Sequence, residues 1–510
     1  MKQVNAATLQ RIKSDPSYRG HQIFIQPGSP VRRTQNCFSW GGCVLLANRS
    51  ETDIMSLYNC IEEKERNNEI FVLDSRDTAA SPELQDAVVV IDPFSTGAVL
   101  AADLSARGYK VIALYSANLD HLVNVASLVP KGVAISFECI VPFDENLVRL
   151  QESLLALPKM NILAILPGAE TGVELADSLT EAMGLRTNGT THSEARRNKF
   201  VMGETIRAAG LRAVKQLRAT TWEEVQNFLA SWTPNPFKLI VKPLESAGSD
   251  RVTLCRSLQE TEDAFGNIMG KVNGLGLINE AVLVQEYLEG QEYVIDMVSR
   301  DGVHKVAAIW AYDRRAVNGA GFVCFGQRLL TAEEPHVREL VEYQKKVITA
   351  LGILNGPTHG EVKWFKDEPV LVEVGARCHG AEGVWQKVAD SVYGYDQVQC
   401  SIDACFSAEK FAAMPELPVA RKAYGRLLFL ILYQSGVVED FDVELLAEIE
   451  NMPSFVSMEL FATKGAAVRK TVDCFTFAGV IRLVNSDQEA LVRDYDRIHA
   501  IEEIGFIKFE

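Results

Sequence analysis

The chain has no long apolar run. No hydrophobic stretch among its 510 residues approaches the roughly 20 residues that a transmembrane helix needs. Its first fifteen residues also lack the apolar core of a secretory signal. We therefore expect a cytoplasmic protein with no membrane partner.

Cysteine pairs and metal-type cysteine spacings are missing as well. The ten cysteines are scattered, with no CxxC pair, and several lie in apolar runs, among them Cys43, Cys139, Cys255 and Cys324. Reduced, buried thiols in a cytoplasmic protein are the simplest account.

Basic residues are outnumbered. Lys and Arg total 51 against 67 Asp and Glu, which gives a formal net charge of -16. Broad nucleic-acid binding needs basic surface that displaces counterions. This composition therefore argues against a nucleic-acid partner and leaves room only for a local basic pocket.

The sequence pattern from residue 86 onward indicates alternating strands and helices. The apolar run 87–91 is typical of a buried parallel strand, and a helix over 98–107 and a strand over 110–115 complete a βαβ unit. A second unit has a strand over 162–166 and a helix over 173–183. The turns after these strands are where α/β sheets place ligands. Neither fits GxGxxG, and a purely structural layer explains them equally well.

Further elements follow along the chain. A helix is predicted from Ser193 to Ala209, and strands before and after a small-residue loop at 244–251. Another strand pair is predicted around residues 288–291. The final hundred residues carry two apolar strands, over 427–433 and 478–484, and a helix from Asp487.

The strongest local signal is a predicted hairpin. Its two arms alternate with period two around a short charged stretch, and a turn centred on Asp367 pairs Glu361 with Glu373. Opposed like charges with Cβ atoms roughly 4.5–5.5 Å apart are destabilising, and a divalent cation would remove that cost. Gly375 and Arg377 continue along the face of Glu373. The alternative is two solvated glutamates on an exposed sheet face.

Two other segments are weaker signals by themselves. The loop 244–251 follows Lys242 and is rich in small residues that let backbone N–H groups approach an anion. A common β-turn beside a surface lysine explains it too. The segment 284–292 is suited to gripping an adenine ring and ribose, but a half-buried strand with a solvated Glu292 is the plainer interpretation.

The order of these motifs changes the interpretation. Lys199, Lys242, the 244–251 loop, the 285–292 segment and the predicted hairpin together form a series that resembles the ATP-grasp superfamily over roughly residues 86–400. Within it the chain looks most like the L-amino acid ligases of the bacilysin-synthetase type. The stretches that carry this closer likeness are 92–97, 172–177, 188–190, 195–200 and 373–377.

The resemblance implies an α/β and α+β fold, namely an ATP-grasp fold with an N-terminal Rossmann-like (pre-ATP-grasp) domain and a C-terminal α+β subdomain. The expected boundaries are an unassigned extension at 1–85, the Rossmann-like domain at 86–190, the nucleotide-binding and catalytic domain at 191–400 and the C-terminal subdomain at 401–510. The C-terminal subdomain is also a candidate homodimer interface.

The resemblance also implies the cofactors ATP and Mg²⁺, with Mn²⁺ as an alternative metal, and a set of site residues. The phosphate-binding positions are Lys199, Lys242, Ser246, Gly248 and Ser249. The adenine- and ribose-binding positions are Gln285, Glu286, Tyr287, Leu288 and Glu292. The metal ligands are Glu361 and Glu373, and the catalytic positions are Arg377, at the acyl phosphate and tetrahedral intermediate, and Lys242.

Gly375 departs from the family pattern, since many members have Asn there as a third metal ligand. Downstream, the resemblance makes His379 a candidate contact for a substrate carboxylate and Trp385 a candidate limit on side-chain size. The alternative is a turn cap and a core residue.

The function implied is an ATP-dependent carboxylate–amine ligase that joins amino acids through an acyl phosphate and yields ADP and phosphate. Its expected partners are small-molecule amino acids. Two alternatives stay open: a non-catalytic nucleotide-binding protein, which Gly375 would suit, and an enzyme that activates bicarbonate or another small acid.

Overall fold

The computed structural model describes residues 3–23, 42–48, 50–66, 70–72, 84–117, 133–246, 250–418 and 423–510. The chain divides into two compact units, Met1–Gln85 and Asp86–Glu510. No helix within those described ranges is long and apolar enough to cross a membrane.

The first unit is small. Its helices are Ala6–Lys13 and Glu51–Arg66, and its antiparallel strand pairs are Gln3–Val4 with Phe71–Val72 and Tyr18–Ile23 with Gly42–Leu46. Four buried side chains form its core: Ile12, Leu57, Ile61 and Ile70.

The second unit begins with the predicted α/β layer, which the structure confirms. Its four-stranded sheet has the order Cys139–Val141, Lys110–Leu114, Gln85–Ile91 and Met160–Pro167. The first three strands run parallel to one another. The helices of this layer are Thr96–Ala106, Leu147–Leu155 and Val173–Ala182.

The continuous apolar run at 87–91 has a clear cause. Val88 and Val90 pack into a core shared with the eight-stranded sheet described below, whereas Ala87, Val89 and Ile91 pack against the helices on the opposite face of the sheet. Because both faces are covered, neither can carry polar side chains, as is usual for parallel sheets.

A four-stranded antiparallel sheet follows, in the order Thr253–Cys255, Leu239–Pro243, Val282–Glu286 and Gln216–Ala219. Helices Trp222–Ser231 and Leu258–Ile268 contribute side chains to its core. The predicted helix from Ser193 is broken in two: a 3-10 turn spans Glu194–Arg196, and the helix Lys199–Ala208 starts anew, capped by Asn198.

The largest sheet has eight antiparallel strands. Their order is Glu368–Gly375, Gly356–Phe365, Glu292–Arg300, Val303–Val317, Ala320–Leu329, Tyr424–Leu430, Gly479–Asn485 and Phe455–Leu460. The last three come from the C-terminal region, so both predicted strands of that region extend this sheet. The C-terminal region also forms a separate three-stranded sheet, in the order Ala467–Val468, Gly436–Phe441 and Ile507–Phe509. The remaining helices are Val337–Ala350, Gln386–Tyr393, Gln397–Phe406, Ala408–Ala413, Val443–Glu450 and Gln488–Ile504.

One predicted pairing is wrong. The strands on either side of residues 288–291 do not pair with each other: Val282–Glu286 belongs to the four-stranded sheet and Glu292–Arg300 to the eight-stranded one. The connecting segment passes close to the hairpin, since a Cβ at Gly290 would lie 2.5 Å from the Trp364 carbonyl oxygen. The segment is therefore a crossing between two sheets rather than a hairpin turn.

Candidate active site

Glu361 and Glu373 are directly opposed across the hairpin, as the sequence predicts. The turn itself differs from the prediction. It consists of Lys366 and Asp367, both with positive φ, as in a type I′ turn. That turn alone would set Val372 opposite Glu361, but the register shifts by one residue beside Glu361. Val372 is the extra residue of a β-bulge, and it brings Glu373 into place.

The two carboxylates are held by cationic neighbours. Lys199 Nζ lies 3.1 Å from Glu373 Oε2, and His359 Nε2 lies 3.4 Å from Glu361 Oε1. Burial alone would raise the pKa of Glu361, but His359 and the charge of Arg314 outweigh it and hold that pKa below its ordinary value. Ionised oxygen ligands of this kind fit Mg²⁺, so the pair is suited to hold the metal that the resemblance implies.

Lys242 differs from Lys199. Its side chain is buried beside the two glutamates, and its ammonium has no hydrogen-bond or ion-pair partner among the described residues. Burial lowers its pKa to about 8, although Glu373 and Glu361 act in the opposite direction. An unpaired buried ammonium is favourable only if an anion arrives. Lys242 is therefore suited to a ligand's negative charge.

These groups line one cavity of about 590 Å³. The cavity brings together the described residues that the sequence analysis assigns to nucleotide and metal: Lys199, Lys242, Ser246, Gln285, Glu286, Tyr287, Leu288, Glu292, Glu361 and Glu373, with Arg377 and His379 beside them. Gly248 and Ser249 lie outside the described residues, and their assignment stays a prediction.

Several of the predicted nucleotide contacts have protein partners. Glu286 accepts two hydrogen bonds of 3.0 Å from Arg212, and Gln285 donates to Gln216 over 2.9 Å. Glu292 accepts a 2.8 Å hydrogen bond from Arg314. The Glu292 carboxylate is therefore oriented by a partly buried cation that the sequence analysis did not single out.

Arg377 is held by an acid from the α/β layer. Its Nε lies 2.8 Å from Glu170 Oε2, while Arg197 Nη1 lies 2.9 Å from Glu170 Oε1. Burial would raise the pKa of Glu170, but the charges of Arg377 and Arg197 outweigh it and hold that pKa below its ordinary value. The sequence analysis missed Glu170, although it marked the turn that carries it.

The other α/β turn also touches the segment after Arg377. Thr96 Oγ1 donates to the Gly380 carbonyl oxygen over 2.9 Å, and the Glu382 N–H donates to Ser95 Oγ over 3.0 Å. Both turns at the carboxyl ends of the strands thus contact the segment 377–382, which begins with a cavity-lining arginine, in line with the general rule that α/β sheets place ligands there.

His379 belongs to a buried cluster. Its Nδ1 lies 2.9 Å from Asp296, which also accepts from His359 Nδ1 over 2.8 Å and from Trp310 Nε1 over 2.9 Å. The other ring nitrogen of His379 lies 3.3 Å from the Tyr312 hydroxyl. Both nitrogens of His379 are therefore engaged with protein groups. An aspartate within the apolar strand 292–299 was the available sequence signal for this cluster.

Trp385 lies in the core and not against the cavity. It is 0% exposed, stacks on His379 and donates from Nε1 to the Gly380 carbonyl oxygen. The structure places Trp385 where the core alternative put it, because its ring fills the layer between the α/β sheet and the large sheet.

Another part of the cavity wall has a different character. It is aromatic and acidic, and it comes mainly from the C-terminal region: Phe429, Phe461, Phe475, Phe477, Glu382, Glu459 and Asp473. We call this part the aromatic chamber. The cavity therefore combines cationic and carboxylate groups with an apolar wall, and Arg377 lines it too.

Comparison with known proteins agrees with this geometry. A family model described as an ATP-grasp domain matches residues 235–384. Dapdiamide A synthase of Enterobacter agglomerans is 28% identical over 424 residues, covering 82% of this chain and 96% of that protein. Alanine–anticapsin ligase of Bacillus subtilis (strain 168) is 27% identical over 325 residues, covering 58% of this chain and 66% of that protein.

The fold is likewise similar to a solved one. The crystal structure of an L-amino acid ligase from Bacillus licheniformis superposes with a TM-score of 0.64 at 19% identity, covering 84% of this chain and 99% of that chain. Residues 235–384 thus match an ATP-grasp domain, and most of the chain is similar in sequence and in fold to amino acid ligases.

Proposed function

We propose that the protein uses ATP to join two amino acids, or an amino acid and another amine, through an acyl phosphate. The observation that carries this proposal is the opposed pair Glu361 and Glu373, set in one cavity with Lys199, Lys242 and Arg377. This arrangement gathers two carboxylates and three cations where a triphosphate and a reacting carboxylate would meet.

The cationic end of the cavity would take the nucleotide. Lys199 and Lys242 would contact its phosphates, and residues 285–288 would line the adenine. Glu292 would accept from the ribose hydroxyls while Arg314 fixes its orientation. In the structure, Lys199 donates a hydrogen bond to the Ser246 carbonyl oxygen over 2.7 Å, so it also tethers the start of the 244–251 loop.

The reaction would proceed in two displacements. A carboxylate oxygen of the first substrate attacks the γ-phosphorus of ATP and ADP leaves. The nitrogen of the second substrate then attacks the acyl carbon, phosphate leaves and the nitrogen loses a proton. Mg²⁺ held by Glu361 and Glu373 would neutralise charge on the phosphate oxygens, as in other phosphoryl transfers.

Arg377 would act at the second displacement. It lines the same cavity as the phosphate-binding groups and the aromatic chamber, where it would meet the acyl carbon. Its guanidinium would stabilise the oxyanion, and losing one such donor typically costs on the order of 10²–10³ in rate.

The aromatic chamber would take the amino acid side chains. Its four phenylalanines favour apolar side chains, because burying such surface is worth roughly 25 cal/mol per Å². The name of one relative, alanine–anticapsin ligase, gives it an amino acid as a substrate, which fits a chamber of this kind.

A pairwise amino acid screen tests the proposal. Purified protein is incubated with ATP, Mg²⁺ and each pair of amino acids, ADP is measured, and products are identified by mass spectrometry. We expect ADP release that depends on amino acids and a product of matching peptide mass. ADP release that requires only bicarbonate, or none with any pair, would contradict it.

A further inference from the structure

The absence of a side chain at Gly375 has a steric cause. The residue ends the strand Glu368–Gly375, and its φ is outside the left-handed region, so the backbone does not require glycine. Space does. A Cβ at this position would lie 2.8 Å from Glu170 Oε2 and 3.1 Å from Arg377 Cζ, closer than real Cβ contacts allow for the first of these.

The two groups that fill this space are partners of each other. Glu170 Oε2 lies 2.8 Å from Arg377 Nε, and the other carboxylate oxygen lies 2.9 Å from Arg197. Arg377 Nη1 donates to the Cys378 carbonyl oxygen over 2.9 Å. Arg377 is thus held by one ion pair and one hydrogen bond to the protein, and its side chain lines the cavity.

The carboxylate of Glu170 is itself firmly anchored. The turn that carries it bonds back to the neighbouring strand through Gly168 N–H and the Ile91 carbonyl oxygen, over 2.7 Å, and through the Thr171 hydroxyl and Asp92. A Cβ at Gly168 would lie 2.6 Å from the Asp92 carbonyl oxygen. Because this turn packs so closely, the backbone that carries Glu170 cannot shift far if its surroundings change.

We propose that Glu170 is a positioning residue for Arg377, and that this pairing requires glycine at residue 375. The acid from the α/β layer occupies the space in which many family members carry an asparagine ligand. With glycine at residue 375 no side chain from this position can contact the metal, whereas the orientation of Arg377 is fixed by Glu170. This inference rests on the proposed role of Arg377 in ligation.

A double-mutant cycle tests the proposal. The proteins are the unmodified chain, Glu170→Ala, Gly375→Ala and the double variant, with Glu170→Gln as a milder change in case the alanine variant folds poorly. Glu174→Gln is the matched control, since Glu174 is an exposed acid only four residues further on. Turnover is measured as amino-acid-dependent ADP release, and nucleotide binding as the rise in Tm with Mg·ADP.

We expect Gly375→Ala to lower kcat about a hundredfold by displacing Arg377, since a misplacement of about 1 Å can cost that much. In the Glu170→Ala background the same change should cost less than about fivefold, because the obstructing carboxylate is gone and contacting residues couple. Glu170→Gln should lower kcat while leaving the KM for ATP and the Mg·ADP shift in Tm unchanged. The Glu174→Gln variant should match the unmodified chain.

Equal losses from Gly375→Ala in both backgrounds would overturn the proposal, as would a Glu170→Gln variant with unchanged kcat. A fall in ATP affinity parallel to the fall in kcat would also overturn it, since this is the result of a merely structural ion pair. If the unmodified chain shows no amino-acid-dependent turnover, the proposed function fails instead. The coupling between residues 170 and 375 is then measured from the Tm values of the four proteins in the cycle. If the Tm changes of the two single variants add up to that of the double variant, the steric contact between the two residues is refuted.

Discussion

Lys199 Nζ lies 3.1 Å from Glu373 Oε2, so a lysine expected at the ATP phosphates is paired with a carboxylate expected at the metal. The pair relieves the repulsion between Glu361 and Glu373 without a bound cation. Binding of Mg²⁺ and ATP would exchange this contact for two others, the metal taking the carboxylate and the phosphate taking the ammonium. The nucleotide and the metal are therefore expected to bind together rather than independently.

The variant Glu373→Gln should abolish ligation and leave the fold intact. An amide in this position loses the charge that would hold Mg²⁺ but keeps the size of the side chain. We expect ADP release to fall by at least about a hundredfold, in line with the loss of one group that stabilises transition-state charge. The Tm shift with Mg·ADP should shrink as well. Glu368→Gln, an exposed acid in the same strand, is the control, and normal turnover by Glu373→Gln would refute a metal role.

ATP affinity should fall as the pH rises through about 8. Burial lowers the pKa of Lys242 to about 8, so the free protein carries a neutral amine there at higher pH. Phosphate binding favours the ammonium, so each binding event must take up a proton, and affinity should drop up to about tenfold per pH unit. Calorimetric titration from pH 7 to 9.5 measures this. Lys242→Arg keeps its charge and should remove the dependence; a flat profile for the unmodified chain would contradict the assignment.

Arg377→Ala should reduce ligation far more than it weakens nucleotide binding. The guanidinium lines the same cavity as the phosphate-binding groups, but its proposed partner is the oxyanion of the acyl carbon. We expect a kcat loss on the order of 10²–10³ with a KM for ATP within about threefold of normal. Arg377→Lys should not restore activity, because an ammonium cannot reproduce the contact from Nε to Glu170. Equal losses in kcat and ATP affinity would place Arg377 at the nucleotide instead.

Asp296→Asn should destabilise the protein strongly. Asp296 is completely buried and accepts hydrogen bonds from two histidines and a tryptophan. Removing its charge leaves buried partners uncompensated, which typically costs about 3–5 kcal/mol. Urea unfolding measures the change. The control Asp301→Asn, whose side chain is 63% exposed, should cost less than about 1 kcal/mol.

The same carboxylate gives the fold a dependence on pH. Burial would raise the pKa of Asp296, but His379 and His359 outweigh it and hold that pKa below its ordinary value. An acid whose pKa is lower in the folded protein than in the unfolded chain stabilises the folded state at pH values above its pKa in the unfolded chain. This contribution is lost as the pH falls toward its pKa in the folded protein. The stability advantage of the unmodified chain over Asp296→Asn should therefore shrink below about pH 4.

Phe475→Ser should alter the use of amino acids and not the use of ATP. Phe475 lines the aromatic chamber while 54% of it remains exposed, so the fold does not depend on its burial. We expect the KM for apolar amino acids to rise about tenfold and the KM for ATP to stay unchanged, since one phenyl ring is worth a few kcal/mol at most when buried. Val472→Ser, a neighbouring exposed residue, serves as the control.

Local patterns were sufficient for the parts of the fold that depend on neighbours along the chain. The period-two alternation of the hairpin arms predicted both strands, and the apolar run at 87–91 predicted a strand covered on both faces. The opposition of Glu361 and Glu373 also followed, although the turn is tighter than predicted and only the bulge at Val372 restores the pairing. Bulges leave no reliable mark in a single sequence. The predicted pairing of the two glutamates was therefore right only because the shorter turn and the bulge at Val372 compensate for each other.

Contacts between distant segments could not be predicted in this way. The 285–292 segment looks like a hairpin by its pattern, yet its strands belong to two different sheets. Trp385 follows the catalytic arginine closely in sequence, but the layers on either side bury it. Asp296 meets His359 because the two strands pair at that register, which no local spacing specifies.

By itself, the sequence predicted most of the strands and most of the charged residues that line the cavity, because these depend on short-range alternation and on the order of motifs. Tertiary structure alone decided that Glu170, in another layer of the protein, meets Arg377 and leaves no room for a side chain at residue 375. The reason is physical: side-chain periodicity fixes the face on which a residue lies, whereas the partner it meets there is set by how separate sheets and turns pack together.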